Sequence, residues 1–262
     1  KVFADLTIGA DVAGAKPLLA NSAIASRGVQ LMGGGFIVSK EEANHLGYPE
    51  NSNIKKVVRP FKNGRDLAQR SRDMMVIDLF GLTVDEAREL YPAIYQWILE
   101  KVKPEREQNK RASYRRNWWT FGENNILMRK SVADLTRFIL SVRTAKHRLF
   151  QFASSEVIPE SKLITLGVDS TKDLGVISSR LHVCWANSAG GWLGAGNDAT
   201  YNHTECFTKF PFPELTDEQA AKIGQLAEQI DAHRKRQQAE HPTLTLTGMY
   251  NVMEKLRAGE EL

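Results

Sequence analysis

The first eighty residues alternate between short hydrophobic runs and polar or glycine-rich stretches, a pattern that predicts short strands joined by turns. We expect strands at residues 36–38, 56–59 and 74–77. Residues 63–66 have the composition of a turn. Ser39 and Glu42 have the spacing of a capping box, which indicates the start of a short helix.

From Thr83 onward the chain changes to a helical pattern. Thr83 and Glu86 form another predicted capping box. Pro104 is expected to end or kink the following helix, or to lie in the first turn of the next one. Residues 114–122 lose their periodicity and are expected to be irregular. The apolar face of the helix before Pro104 consists of Ile94, Trp97, Ile98 and Val102.

The second half begins with strands between residues 138 and 168 and continues with one predicted helix that ends at residues 190–191. A polar, glycine-rich loop is expected over residues 190–204. The spacing of Thr216 and Gln219 predicts the start of a long helix, and a short final helix is expected near residues 249–257. The apolar positions of these helices are Leu174, Ile177, Leu181 and Cys184 in the first, and Ile223, Leu226 and Ile230 in the second.

Composition describes a soluble globular protein. The chain has 262 residues, 42% hydrophobic and 25% charged, which is enough apolar material for a core. No stretch reaches the ~20 apolar residues of a membrane span. Cys184 and Cys206 are too few for a disulfide framework and lack the spacing of a zinc site, so we expect two buried thiols in a reducing compartment. No signal peptide is visible, because residues 1–5 have no apolar core region. The chain begins without Met, which indicates a fragment or a processed product.

Positive charge is concentrated in residues 101–148, the cationic block. This block has thirteen Lys and Arg against four Asp and Glu, a balance of +9. The whole chain carries +4, so the remaining residues sum to 4 − 9 = −5. Concentrated positive charge interleaved with aromatic residues fits the phosphates and bases of a nucleic acid. From charge alone, a solvent-exposed helix face without a binding role is as good an interpretation as a nucleic-acid-binding surface.

The block and the glycine-rich loop supply candidate nucleic-acid contacts. Arg106 and Lys110 are four residues apart, so they share one helix face that could meet phosphates. Trp118 and Trp119 would point in opposite directions from an extended segment, so one of them could lie on the surface. The candidate phosphate contacts are Arg106, Lys110, Arg111, Arg115, Arg116, Lys146 and Arg148. The candidate base-reading residues are Tyr114, Asn117, Trp118, Asn197, Asp198, Thr200, Tyr201 and Asn202.

The motifs of common enzyme classes are absent from the sequence. It has no Walker loop, no nucleophile elbow, no dinucleotide fingerprint and no His-Glu-x-x-His zinc motif. The six histidines are scattered. The chain alone therefore gives little support for a catalyst, and we expect no catalytic or metal-binding residues in it.

Two sets of motifs resemble DNA target-recognition domains. One set is similar to the closing element of type I specificity subunits and of fused adenine methyltransferases: Leu174–Ala186, Tyr201-Asn-x-Thr204, Phe210-Pro-Phe-Pro213, Glu218-Gln219 and Ile223. The other set resembles the C-terminal half of large DNA methyltransferases of the MmeI-like, type IIL restriction–modification group: Phe61-x-x-Gly64-Arg-Asp-Leu67, Tyr114-Arg-x-Asn-Trp-Trp119, Thr144-Ala-Lys-His147 and Leu244-Thr-Leu-Thr-Gly-Met-Tyr-Asn-Val252. The resemblance covers nearly the whole chain.

The resemblance implies adenine-N6 methylation with S-adenosylmethionine in the parent enzyme. Such enzymes need an Asn/Asp-Pro-Pro-aromatic motif for the flipped base, and none of the nine prolines here follows Asn or Asp. The chain is therefore expected to be the recognition part without its catalytic core, to hold no cofactor itself, and to work in the bacterial cytoplasm. Its expected partners are double-stranded DNA and the catalytic domain of the same polypeptide.

The expected fold is mixed α/β (α+β), with short twisted sheets in a target-recognition domain at residues 1–205 and a C-terminal helical segment at residues 206–262. The long helix of that segment would be a spacer or docking element. Two alternatives stay open. One is an RNA-binding accessory domain, which the aromatic and arginine content would also suit. The other is a module whose basic block binds an acidic protein.

Overall fold

The computed structural model describes residues 12, 14–193 and 198–260. Its helices are α1 (Lys40–His45), α2 (Ser52–Val57), α3 (Gly64–Ala68), α4 (Val84–Leu90), α5 (Pro92–Lys101), α6 (Lys103–Glu107), α7 (Ala112–Arg116), α8 (Ile126–Val132), α9 (Thr171–Ser178), α10 (Arg180–Ala189), α11 (His203–Cys206), α12 (Asp217–Glu240) and α13 (Leu246–Ala258). Its strands are β1 (Ala25–Arg27), β2 (Ile37–Val38), β3 (Val58–Lys62), β4 (Met75–Ile77), β5 (Arg137–Val142), β6 (Thr144–Ala145), β7 (Phe150–Ser154), β8 (Ile158–Pro159), β9 (Leu163–Leu166), β10 (Gly191–Leu193) and β11 (Asp198–Thr200).

The strands of the described residues form small sheets, as the mixed α+β prediction requires. The main sheet has the order β1-β9-β5-β7 and is antiparallel throughout. A second sheet has the order β2-β4-β3-β8, in which only the β3–β8 pair is parallel. The third sheet joins β10, β11 and β6. The predicted fold class is confirmed.

The main sheet is buried on both faces. Successive side chains of β5 point to opposite faces, and both sets are fully buried: Ile139 packs into one cluster, while Phe138 and Leu140 pack into another. The strand therefore appears in the sequence as a continuous apolar run instead of an alternating one. The first cluster also receives residues from α9, α10 and α12.

The second sheet packs against α5. Ile94 and Ile98 are fully buried there, as the helical spacing predicts. The indole Nε1 of Trp97 donates a hydrogen bond to the carbonyl oxygen of Gly35 at 2.9 Å. Pro104 lies in the first turn of α6, where its missing N–H costs nothing. This was one of the two predicted outcomes for that proline.

Each predicted capping box is present. Ser39, Thr83 and Thr216 accept hydrogen bonds from the backbone of the third helical residue. A fourth capping box corrects the prediction for residues 63–66, which begin α3 instead of forming a simple turn. There Asn63 is the N-cap and Asp66 returns the bond.

Residues 171–189 form two helices instead of the single predicted one. Ser179 breaks the run, because its backbone is extended and its side chain caps α10. The break turns Leu181 out to solvent at 81% exposure. Cys184 is exposed as well, so the prediction of two buried thiols holds only for Cys206. Burial raises the pKa of the Cys206 thiol to about 11.

The predicted apolar face of α12 is wrong for Leu226 and Ile230, although the half-buried Ile223 lies against Gly175 of α9. Leu226 and Ile230 are 45% and 47% exposed, whereas Gly224 and Ala227 face the core. A Cβ on Gly224 would lie 2.5 Å from the hydroxyl of Thr171, so the close approach of α12 to α9 requires small residues. Packing distance, and not hydrophobicity alone, decides which face is buried.

Two buried charges of α12 bind the outer edge of the main sheet. The carboxylate of Asp231 accepts a hydrogen bond from the backbone N–H of Phe152 at 3.3 Å. The guanidinium of Arg234 donates to the carbonyl oxygen of Phe150 at 2.9 Å. Because β7 is the last strand of this sheet, these bonds satisfy backbone groups that would otherwise be unpaired.

The core crosses the predicted division between residues 205 and 206. Cys206, Phe207 and Ala227 pack into the same cluster as Ile139 and Phe150 of the main sheet. The helices α11 and α12 therefore pack on the core of the main sheet. The position of a domain boundary stays a prediction.

Candidate nucleic-acid interface

Arg106 of the cationic block is a core residue. Its side chain is fully buried, and its Nη2 donates to the carbonyl oxygens of Leu31 at 2.9 Å and Thr120 at 2.6 Å. The guanidinium also lies 5.6 Å from the ring centre of Phe36 and 5.4 Å from that of Tyr114. The predicted phosphate contact by Arg106 is therefore wrong, because no part of the side chain reaches the surface.

The aromatic residues of the block are also largely buried. Tyr114 is 7% exposed and Trp118 is 9% exposed, so neither offers a ring face on which a base could stack. Trp118 and Trp119 both pack on the core of the second sheet, with ring centres 6.4 Å apart. The segment turns instead of running extended, which is why the two rings can share one core.

A cluster of exposed polar residues surrounds α7. Arg115 donates to the carbonyl oxygens of Asn109 at 2.6 Å and Lys110 at 3.1 Å, which ties the α6–α7 connection together. Arg111 donates to the hydroxyl of Tyr114 at 2.8 Å. Five predicted contact residues remain exposed here: Lys110, Arg111, Arg115, Arg116 and Asn117. We call them the α7 cluster.

Other cations of the block are used in ion pairs. Arg129 forms two hydrogen bonds to the buried carboxylate of Asp78, at 2.8 and 3.0 Å. Arg137 pairs with Glu228 at 3.0 Å. Lys146, a predicted phosphate contact, is exposed but pairs with Glu254 at 3.4 Å. The charge anomaly in the sequence therefore combines a real surface cluster with structural ion pairs.

The predicted glycine-rich loop contains two paired strands, β10 and β11, which we call the hairpin. β10 and β11 pair in antiparallel register, with Gly191 opposite Thr200 and Leu193 opposite Asp198. β11 then pairs with β6, which anchors the hairpin to the end of β5. Gly190 is needed at its base, because a Cβ would lie 2.5 Å from the carbonyl oxygen of Thr200. Asn197 lies outside the described residues.

The Arg148 side chain is hydrogen-bonded to the hairpin and to β5, so it is not free to contact a phosphate. Its Nη2 donates to the carbonyl oxygen of Ala199 at 2.9 Å, and its Nη1 donates to the carbonyl oxygen of Val142. The guanidinium lies 5.0 Å from the ring centre of Tyr201. Burial lowers the pKa of Arg148. The prediction of a phosphate contact is corrected to a supporting role.

Tyr201 belongs to the same buried network. It is 1% exposed, and its hydroxyl is 2.9 Å from Nε2 of the fully buried His182. Burial, followed by the charge of Arg148, lowers the pKa of His182 to about 3. Burial raises the pKa of Tyr201 well above its ordinary value. Tyr201 therefore fixes the hairpin and cannot read a base.

Three predicted base readers of the hairpin region retain accessible side chains. Asp198 is exposed and Thr200 is half-buried. The exposed Asn202 caps α11, because its side-chain oxygen accepts a hydrogen bond from the backbone N–H of Thr204 at 3.4 Å. Trp192, which is not among the predicted contact residues, is 53% exposed on β10. Its one possible signal was an indole within a polar, glycine-rich stretch.

The predicted contact residues rest on two different cores. Trp118, beside the α7 cluster, packs with the second sheet, whereas Tyr201 packs with the main sheet.

Within residues 12, 14–193 and 198–260, no group of three or more His, Cys, Asp or Glu side chains could hold a metal ion. No helix in the described part of the chain is long and apolar enough to cross a membrane.

Comparison with protein families matches residues 13–214 to the MmeI target recognition domain. The match covers more than half of the chain. The chain belongs to this family. The α7 cluster and the hairpin both lie within the matched region of this target recognition domain.

The fold of this target recognition domain is also found in a solved structure of the type IIL restriction–modification enzyme MmeI in complex with DNA. The TM-score is 0.71 at 20% sequence identity, over 94% of this chain and 32% of that one. The chain thus spans about a third of the length of that enzyme. The comparison with curated proteins gives no match.

The C-terminal motif, residues 244–252, contains the side chains that attach α13 to the rest of the chain. The hydroxyl of Thr247 donates to the carbonyl oxygen of Ala68 at 3.0 Å. The Oδ1 of Asn251 lies 2.8 Å from both Nζ of Lys146 and Nε2 of His147. The motif containing Lys146 and His147 and the C-terminal motif therefore bind each other.

Proposed function

We propose that this chain recognises a specific sequence in double-stranded DNA, as the target-recognition part of a larger restriction–modification methyltransferase. Membership of the MmeI target recognition domain family over residues 13–214 carries the proposal. The related MmeI structure, a complex with DNA, supports it at the level of the fold. The exposed charge of the α7 cluster supports it further, because phosphate neutralisation supplies most of the non-specific affinity for DNA.

The exposed residues divide into two roles. In the α7 cluster, Lys110, Arg111, Arg115 and Arg116 would contact phosphates, which fix the register of a protein on the duplex without reading sequence. Asn117 has the side chain that pairs with adenine in the major groove. The hairpin would read bases through Asp198, Thr200, Asn202 and Asn197.

The hairpin suits a reading role because its exposed strand is held by a buried network. Arg148 binds the backbone of β11 at Ala199, and Tyr201 is anchored to His182. A reading element must be held to within a fraction of an ångström, because a base-edge hydrogen bond is lost when its donor moves. This network would supply that rigidity.

The chemistry of the parent enzyme would lie outside this chain. We propose adenine-N6 methylation with S-adenosylmethionine, by a catalytic domain on the same polypeptide, in the bacterial cytoplasm. Two facts support a recognition role without catalysis: the sequence lacks an Asn/Asp-Pro-Pro-aromatic motif, and the chain spans 32% of the length of the related enzyme. The docked helices α12 and α13 would connect the recognition domain to that catalytic part.

Selection from a random duplex library tests the proposal. The chain is incubated with duplexes that carry a randomised central segment, and bound DNA is sequenced after several rounds. We expect one enriched motif, and binding of that motif that weakens with salt. Single-stranded and structured RNA of equal charge serve as competitors. Equal displacement by RNA, or absence of an enriched motif, contradicts specific recognition of duplex DNA.

A further inference from the structure

Three basic residues from distant parts of the sequence lie on segments that pack together beside the hairpin. Arg27 is the last residue of β1, Arg143 lies between β5 and β6, and His203 is the first residue of α11. The helix α11 packs on β1. The backbone N–H of Tyr201 donates to the carbonyl oxygen of Arg143 at 2.6 Å. The start of α11 is therefore tied to the segment that carries Arg143.

The two arginines have no acidic partner among the described residues, and their charges act on His203. Arg27 is exposed and Arg143 is half-buried, and neither forms an ion pair with a carboxylate of the described residues. Burial lowers the pKa of His203, and the positive charges of Arg27 and Arg143 lower it further. The acidic residue on α11, Glu205, is paired with Lys209 at 2.5 Å.

A fold that holds like charges together bears an electrostatic cost that a bound anion would remove. Two guanidinium groups offer planar donor forks, which match the oxygens of a phosphate. The site is also next to the hairpin, since Asn202 directly precedes His203 and Thr200 bonds Thr144 through their hydroxyls at 3.3 Å. A DNA strand read by the hairpin would bring its backbone close to this position.

We propose that Arg27, Arg143 and His203 form a phosphate-binding cluster that holds the DNA backbone at the base of the β10–β11 hairpin. This inference rests on the proposed function, because the phosphodiester belongs to the DNA that the hairpin reads. None of the three residues is marked by a motif, and Arg27 and His203 lie outside the cationic block. Only the folded chain brings them together.

A salt titration of duplex binding tests the cluster. The double variant Arg27→Gln/Arg143→Gln is compared with the control Lys222→Gln/Lys255→Gln, which removes two exposed positive charges from α12 and α13. Each phosphate contact contributes about 0.9 to the slope of log K against log salt concentration. We expect the slope to fall by about 1.8 in the double variant and to stay unchanged in the control. We expect affinity at low salt to fall ~10-fold or more per arginine.

The titration separates two kinds of failure. If the unaltered chain binds no duplex, the proposed function fails. If the unaltered chain binds and the double variant keeps the slope of the control, DNA binding stands and the phosphate cluster is overturned. Thermal unfolding of both variants verifies that each is folded.

Proton NMR of the His203 ring gives a readout at the site itself. A phosphate beside the ring favours its charged form, so saturating duplex should raise the pKa of His203. The Arg27→Gln/Arg143→Gln variant should show a raised pKa without DNA, because two repelling charges are gone. A pKa of His203 that does not change on saturation with duplex would place the backbone elsewhere and overturn the cluster.

Discussion

The guanidinium of Arg148 donates a hydrogen bond to the carbonyl oxygen of Ala199 at 2.9 Å. This bond joins the chain after β6 to the middle of β11. A second donation to the carbonyl oxygen of Val142, and a third to the hydroxyl of Ser141 at 3.3 Å, fix the same side chain to β5. Arg148 therefore connects the main sheet to the hairpin, and its guanidinium binds two backbone carbonyl oxygens and one hydroxyl of the protein itself.

Replacement of Arg148 by Ala should destabilise the fold without removing a phosphate contact. Loss of hydrogen bonds from a charged donor costs about 2–3 kcal/mol, so the free energy of unfolding in urea should fall by roughly that amount. The salt slope of duplex binding should not change, because it counts neutralised phosphates. Urea denaturation and binding titrations measure the two quantities.

Lys110→Ala is the matched control for Arg148→Ala. Lys110 is exposed in the α7 cluster, so its loss should leave the free energy of unfolding within about 0.5 kcal/mol. The salt slope should decrease by about 0.9 if Lys110 meets one phosphate. The opposite pattern, with a reduced slope in Arg148→Ala at full stability, would restore Arg148 as a DNA contact.

Arg115 and Arg116 test the α7 cluster itself. Replacing both with Ala should weaken duplex binding and reduce the salt slope by about 1.8, because two phosphate contacts would be lost. Arg115 also bonds the carbonyl oxygens of Asn109 and Lys110, so Arg115→Lys serves as a variant that keeps the charge and changes the geometry. An unchanged slope in the double Ala variant would exclude the cluster from the interface. If one arginine reads a base instead, discrimination at one position should relax by ~1–3 kcal/mol.

Local structure could be predicted where a few neighbouring residues determine it. The capping boxes that begin with Ser39, Thr83 and Thr216 are local hydrogen-bond patterns, and the structure contains each of them. The buried face of α5 with Ile94 and Ile98 was also predicted, because it is one simple stripe on one helix. These features depend on spacing alone.

Burial could not be predicted where it depends on contacts between distant segments. Arg106 is buried because carbonyl oxygens of Leu31 and Thr120 converge on it, which no helical spacing reveals. The inner face of α12 contains Gly224 and Arg234 because α9 approaches closely and β7 presents unpaired backbone groups. A charged residue can therefore face the core while leucine faces solvent.

For the candidate site too, local features could be predicted from the sequence and burial could not. The residue types around α7 and the hairpin could be read from composition, but their accessibility could not. Tyr201 and Asp198 are close in sequence, yet the first anchors the hairpin at 1% exposure and the second is exposed. Their different roles come from the alternation of sides along the chain and from His182, which lies on another helix.

His182 should make the stability of the domain depend on pH. Its pKa is about 3 in the folded chain, against an ordinary value of 6.5. Because the folded value is lowered, the unfolded state binds the extra proton, so stability is fully present above about pH 6.5 and is lost as the pH falls toward 3. The loss approaches ~1.4 kcal/mol per pH unit within that window.

The variant His182→Gln isolates this effect. Between pH 6.5 and 4, the free energy of unfolding of the unaltered chain should fall more steeply than that of His182→Gln, by ~1.4 kcal/mol per pH unit. The exposed His45 provides the control, and His45→Gln should follow the unaltered chain. Parallel curves for His182→Gln and the unaltered chain would contradict a neutral, buried imidazole.

Asp198 should determine which base is preferred more than how tightly DNA binds. It is exposed on β11, whose backbone is held by Arg148 at the next residue, and a carboxylate accepts a hydrogen bond from the amino group of cytosine. Asp198→Asn keeps the shape but adds a donor, so the preferred base should change at one position of the selected motif. Discrimination at that position should change by ~1–3 kcal/mol, while total affinity for the best site stays within about tenfold.

Asp173→Asn, on α9, is the control for the loss of one negative charge. Library selection with each variant gives the measurement, and an identical motif from Asp198→Asn and the unaltered chain would exclude Asp198 from base reading.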